Sequence, residues 1–184
     1  MPLPNPHHHH APETGAERDI LTESPPPLPL FIARVPASTR PLSAYERFFC
    51  LMEHVTPLRF VFVAQISGLT TPCEWRQALD RVQSRHPLLS VAVEEGADGI
   101  PRFRREARAP IPLHVALGDP HQDWTEYASA QLATPFDSSQ APLVRATLIL
   151  GEEGAAFLLA AHPAVADGLS LVYVLRDILD TMCG

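Results

Sequence analysis

Apolar residues recur at two spacings along this chain, and the spacings alternate. The first helical pattern opens on Ser43-Ala44-Tyr45-Glu46, a capping box with Ser43 as N-cap and Glu46 three residues on. It continues through Phe48, Phe49, Leu51 and Met52 towards His54, and Pro57 closes the connection. Leu58 to Ile66 reads as a strand, with Phe60, Phe62, Ala64 and Ile66 on one face. Val61 and Val63 make its other face apolar as well, so the strand is expected to be covered on both sides. Thr71-Pro72-Cys73-Glu74 is a second capping box with Pro at the first helical position. Trp75, Ala78, Leu79 and Val82 then form one helical stripe, which ends before Pro87. Leu88 to Val93 and Ile100 to Ala107 read as strands joined by the turn Ala97-Asp98-Gly99, and Ile111 to Ala116 as a further short strand. Asp119-Pro120 opens a helix through Trp124, Tyr127, Ala128 and Leu132. Pro142 to Leu150 and Ala155 to Ala161 are antiparallel strands around a turn at Gly151 to Gly154. Leu171, Val172, Leu175, Ile178, Leu179 and Met182 make the last helix amphipathic. Mixed strands and helices in this order predict an α/β fold, a mixed-sheet layered sandwich in one domain.

The most informative stretch is Ala155 to Ser170. A charge-free apolar run, short enough for a buried strand, leads to His162-Pro163. Pro163 cannot donate to a sheet and biases His162 towards extended backbone. The strand is therefore expected to stop at about His162. Asp167-Gly168 is a turn signal, and Asp167 or Ser170 is placed to cap the helix that follows. One His and one Asp thus sit on a loop between a buried strand and a helix, where a scaffold can present them to a ligand.

Composition narrows the classes. The 184 residues carry a net charge of −7, which argues against nucleic acid as a partner. All 14 basic residues are Arg, so no Lys is available for Schiff-base or P-loop chemistry. Cys50, Cys73 and Cys183 have no metal-like spacing and read as reduced thiols of a cytoplasmic protein. No apolar run approaches a membrane span. Ten of the 20 prolines fall within the first 41 residues, which predicts a disordered Pro-rich segment over residues 1–40 and a folded domain over 41–184. Two readings stay open for His7-His8-His9-His10: a weak metal site or the remnant of a tag. The run Ser24 to Leu30 is either a linker or a ligand for a partner's aromatic groove. Arg102, Arg104, Arg105 and Arg108 crowd one strand, as a solvated face or as a basic patch for a phosphate-bearing cosubstrate. His54, His86, His114 and His121 are scattered singly and read as surface or packing residues.

Four segments resemble the condensation-domain superfamily. This superfamily includes the condensation domains of nonribosomal peptide synthetases, polyketide-associated acyltransferases and, more distantly, chloramphenicol acetyltransferase. His162-Pro163-Ala164-Val165-Ala166-Asp167-Gly168 resembles its HHxxxDG motif. Arg85-His86-Pro87-Leu88-Leu89 resembles RHxxL, and Pro135 to Ala146 resembles PFDxxxxPLxRA. Pro41 to Glu46 resembles the opening of the polyketide-associated branch. The resemblance implies a chloramphenicol acetyltransferase-like lobe over residues 41–184. It implies an acyl thioester, on coenzyme A or an acyl carrier protein, as cosubstrate rather than a bound cofactor or metal. It also implies that the motif's second His takes the proton from a hydroxyl or amine acceptor, and here that position is Pro163. His162 matches the first His, which implies a structural role, with a displaced catalytic base as the other reading. Asp167 is expected to hold the loop in an ion pair with Arg85 or with Arg145, the resemblance favouring Arg85.

Condensation domains have two lobes, and this sequence matches the first. A second lobe or a second copy of the chain is therefore expected to complete the site. Three functions follow: an acyltransferase or its N-terminal lobe with impaired activity, a non-catalytic module that binds a carrier protein or synthase partner, or a truncated remnant.

Overall fold

The computed structural model describes residues 40–183 apart from His54 and Pro57. The His tract, the proline run and the rest of the Pro-rich segment lie outside the described residues. Arg40, placed in that segment by composition, belongs to the body. It forms the two-residue strand β1 (Arg40–Pro41) and pairs with Phe103.

Both capping boxes form as read. Ser43 Oγ accepts the Glu46 amide and the Glu46 carboxylate accepts the Ser43 amide, opening α1 (Ala44–Met52). Thr71 and Glu74 do the same for α2 (Pro72–Arg85). Between the two helices runs β2 (Phe60–Ser67). The strand predicted from Leu88 begins later. Pro87–Ser90 is a 3₁₀ turn, and β3 is Val91–Glu95. The reason is local: Pro87 suits a first helical position, the Leu89 amide donates to the His86 carbonyl, and the Gln83 side chain holds the Leu89 carbonyl. β4 (Pro101–Arg105) returns antiparallel through a turn in which Gly99 adopts φ +74°, a backbone state that favours glycine. β5 (Leu113–Leu117) follows.

The third helix also starts later than its sequence signal. Asp119 first makes a turn, bonding the His121 amide and accepting from Gln122, and α3 is Trp124–Ala133. β6 (Val144–Leu150), β7 (Gly154–Ala161) and α4 (Gly168–Cys183) complete the chain.

β1, β4 and β3 form a small antiparallel sheet. The main sheet has the order β2-β7-β6-β5, with only β5 and β6 parallel. β7 lies inside it, and its alternate residues serve two layers. Phe157, Leu159 and Ala161 face the large core under α2 and α4. Ala156 and Leu158 face the other side, towards Trp124, Tyr127 and Ala128 of α3. Trp75 of α2 stacks on Phe157 with ring centroids 4.2 Å apart. β2 meets both layers but is only partly covered: Phe62, Ala64 and Ile66 pack on the main core and Val61 and Val63 on the α3 side. Phe60, read as part of the core face, is exposed because β2 is an edge strand. The predicted mixed-sheet α/β sandwich is what forms. The motif lies at the end of the inner strand, between β7 and the start of α4.

Candidate functional site

β7 ends at Ala161, so His162 is the first residue beyond the sheet. Its amide still donates to the Leu143 carbonyl at 3.0 Å, which ties the turn to the segment before β6. Its carbonyl accepts the Val165 amide at 3.0 Å and the Ala166 amide at 3.4 Å. The chain therefore folds back on itself at once, and Pro163, Ala164, Val165 and Ala166 are all buried.

The His162 ring turns inwards and is 0 % exposed. Nδ1 accepts the Ala164 amide at 3.1 Å, which assigns the remaining proton to Nε2. Nε2 is buried and has no partner among the described residues. Phe136, from the PFD segment, meets the ring edge-on at 6.4 Å. Burial lowers the imidazole pKa; nearby Glu53 opposes the shift and Arg59 adds to it. A neutral ring, sealed and bonded within its own loop, holds the turn.

Asp167 corrects the sequence reading. It is exposed and forms no ion pair with Arg85 or Arg145; instead its Oδ1 accepts the Ser170 amide at 2.7 Å. That is an N-cap on α4, three residues ahead of its partner. Hydrogen bonding from Ser170 holds its carboxyl below the usual range. An exposed carboxylate at a helix N-terminus is stabilised by free amides and water, so no guanidinium is required. Gly168, the first residue of α4, has open space around its Cα.

Arg145 is engaged elsewhere. It donates to the carbonyls of Thr134 at 2.6 Å and Gln131 at 2.7 Å, and its Nε to the Gln131 side chain. Its guanidinium lies 4.1 Å from the Phe136 ring centre. A cation at the C-terminal carbonyls of α3 is favourably placed. Burial lowers its pKa, and the Arg59 charge acts in the same direction. Arg85 is exposed at the end of α2 and forms no ion pair among the described residues. The structure thus brings His162 and Arg145 both against Phe136, and gives Asp167 and Arg85 no bond to either among the described residues.

Two pairings beside the loop were missed by the sequence reading. Glu53 and Arg59 form an ion pair at 2.5 Å, with side chains 10 % and 1 % exposed. Glu53 also accepts the Leu58 amide, and Arg59 donates to the Leu132 carbonyl. Their spacing of six across a Pro-containing turn was the available signal. His86, read as ordinary packing, bonds Asp177 of α4 through Nε2 at 2.8 Å. The pair borders a mainly apolar cavity of about 250 Å³, lined also by Leu88, Leu89, Val165, Ser170 and Tyr173.

Among the described residues no group of His, Cys, Asp and Glu could hold a metal ion. Cys50 is half-buried, and burial, with Glu46 and Glu53 nearby, pushes its thiol up to about 11, away from nucleophilic use. No described helix is long and apolar enough to cross a membrane.

Residues 60–184 match the Condensation domain family. The chain is 27% identical over 145 residues to one of the plipastatin synthase proteins of Bacillus subtilis (strain 168), covering 76% of this chain and 6% of that protein. It is 32% identical over 149 residues to a linear gramicidin synthase protein of Brevibacillus parabrevis, covering 75% of this chain and 2% of that one. In structure it is similar to the starter condensation domain of rhizomide synthetase, with a TM-score of 0.68 and 18% identity over 77% of this chain and 36% of that one. A variant of that domain has been solved with C8-CoA and Leu-SNAC. The first condensation domain of the calcium-dependent antibiotic synthetase superposes with a TM-score of 0.70 at 16% identity, over 79% of this chain and 39% of that one. The chain therefore spans little more than a third of these solved domains, and a few hundredths of the synthases.

Proposed function

The chain belongs to the condensation-domain family, and from that premise we propose that it is a condensation-type lobe that binds a thioester-bearing partner without transferring the acyl group itself. One observation carries the reading. The position that should supply the base is Pro163, which is buried, and the adjacent His162 imidazole is closed on its own loop. A general base must come within hydrogen-bond reach of the proton it removes, and its loss forfeits about 10²–10⁴-fold in rate. The cosubstrate class is an acyl thioester on coenzyme A or on an acyl carrier protein. The apolar cavity beside Val165 and Ser170 suits the aliphatic part of such a donor. The site is completed by a second lobe or by a second copy of this chain. Three cysteines without a disulfide suit a reducing compartment such as the cytoplasm.

A second reading keeps the lobe an active acyltransferase. It draws support from His86, which stands on the cavity wall with Nε2 held by Asp177 and no hydrogen bond to Nδ1 among the described residues. An imidazole oriented by a carboxylate is a competent base.

The test is an acyl-coenzyme A donor with a small amine or alcohol, reading free thiol against a no-protein control. Wild type is expected to match the control, and Pro163→Ala to change nothing. Transfer by wild type that disappears in His86→Ala would establish the second reading. Transfer lost in His162→Ala would show that the buried ring opens and acts as the base.

A further inference from the structure

We propose that the pocket between β4 and the C-terminal turn of α2 binds a phosphate group. The pocket has a volume of about 330 Å³, and its walls include Asp80, Gln83, Ser84, Ser90, Arg105 and Arg108. Four arginines crowd residues 102–108, and the structure divides them. Arg102 pairs with Asp98 at 2.7 Å. Arg104 pairs with Glu94 at 2.9 Å and also with Glu106. Arg105 and Arg108 have no acidic partner among the described residues, and both line the pocket. Arg105 Nε is shielded from solvent and has no hydrogen-bond partner among the described residues. That nitrogen is closed to the pocket's solvent, so the accessible terminal nitrogens of Arg105 and Arg108 are the groups an anion would meet.

The walls are already set. Gln83 is 7 % exposed and fully engaged: its amide donates to the Leu89 and Ala109 carbonyls at 2.9 and 2.8 Å and accepts the Ile111 amide at 3.2 Å. Two features oppose an anion. Asp80 carries negative charge, but Arg76 already pairs with it at 2.9 Å. The end of α2 adds about half a negative charge. Two guanidinium charges outweigh that remainder. Guanidinium forks match phosphate oxygens in paired hydrogen bonds, and the volume exceeds the needs of a bare carboxylate. The net charge of −7 disfavours a polyanion such as nucleic acid, so the ligand proposed is a single phosphate group. Its source is either free phosphate or the phosphate of a pantetheine-type thioester carrier. The pocket stands on the arginines alone, so the absence of chemistry at the motif loop leaves it untouched.

The experiment titrates the ¹⁵N-labelled full chain with inorganic phosphate, 4′-phosphopantetheine and phosphate-free pantetheine, following the Ser84, Ser90 and Ala107 amides. Both phosphate compounds are expected to shift these amides saturably, and pantetheine to leave them in place. Tighter binding of phosphopantetheine than of phosphate assigns the source to the carrier arm; equal binding assigns it to free phosphate. Arg105→Gln with Arg108→Gln should raise Kd about tenfold or more. Arg108→Gln alone changes an exposed side chain, so it keeps the fold and should show part of that loss. No saturable shift up to about 10 mM, where even weak sites fill, would overturn the proposal. So would pantetheine binding as well as phosphopantetheine, or wild-type affinity in Arg108→Gln.

Discussion

Asp167 shows how one position can keep its place in a motif while its partner changes. Its sequence neighbours are those of a loop-holding aspartate, but its Oδ1 is bonded to the Ser170 amide and its side chain is exposed. The loop is instead held by His162, through the Ala164 amide and the backbone bond to Leu143. Removing Asp167 should therefore cost what an N-cap is worth, about 1 kcal/mol, rather than the roughly 3–5 kcal/mol of a broken buried ion pair. Asp167→Ala is expected to lower Tm by about 2–4 °C for a domain of this size, and Asp167→Asn, also a good cap, by less. A loss of 10 °C or more, far beyond about 1 kcal/mol of capping, would mean that an ion pair does form in solution.

At the scale of elements, what the sequence revealed depended on the distance over which each signal acts. Both capping boxes span four residues, and both form as read. The end of β7 was legible because Pro163 removes a ladder donor at a known place. The strand read from Leu88 was not, because Pro87 and the Gln83 grip on Leu89 make a 3₁₀ turn first. The His86–Asp177 pair joins residues 91 apart, and no local pattern announces it. The Glu53–Arg59 pair sits where α1 gives way to β2, and its partners are only six apart. Here the difficulty was burial: two charged residues beside a turn read as solvated until Arg59 is seen bonded to the Leu132 carbonyl of α3 and shielded from solvent. That joint yields a prediction. Glu53→Gln keeps the size of the side chain but leaves the Arg59 charge buried without a counter-ion. The expected loss is about 3–5 kcal/mol by urea unfolding, whereas Arg40→Gln, breaking the exposed pair with Glu46, should cost about 1 kcal/mol or less. Equal effects of the two changes would show that water reaches Arg59.

The whole molecule responds to pH through groups on opposite sides of neutrality. His162 titrates below its ordinary 6.5 because its ring is buried. As pH falls past 6.5 the unfolded chain takes up this proton before the folded one does. The unfolded state then binds more protons, and stability drops with pH from 6.5 down to the folded value. Glu46 acts lower down: its hydrogen bond from Arg40 brings it from 4.5 to about 2, so its contribution is lost between those values as pH falls. Cys50 acts at the alkaline end. Burial raises its thiol from 9.0 to about 11, so the unfolded chain loses the proton first and stability falls as pH rises over that range. The expected curve of Tm against pH is a plateau between about 6.5 and 9 with a first acid shoulder that belongs to His162. His162→Asn isolates that shoulder, since the Asn oxygen can replace Nδ1 as acceptor of the Ala164 amide and does not titrate. The variant should melt lower than wild type at neutral pH, having lost ring packing against Phe136. The gap between the two should narrow as the buffer is taken from about pH 7 to about pH 5.5. A gap that stays constant over that interval would mean that His162 takes up its proton as readily folded as unfolded. The sealed ring, on which the proposal of a silent motif loop rests, would then have to be abandoned.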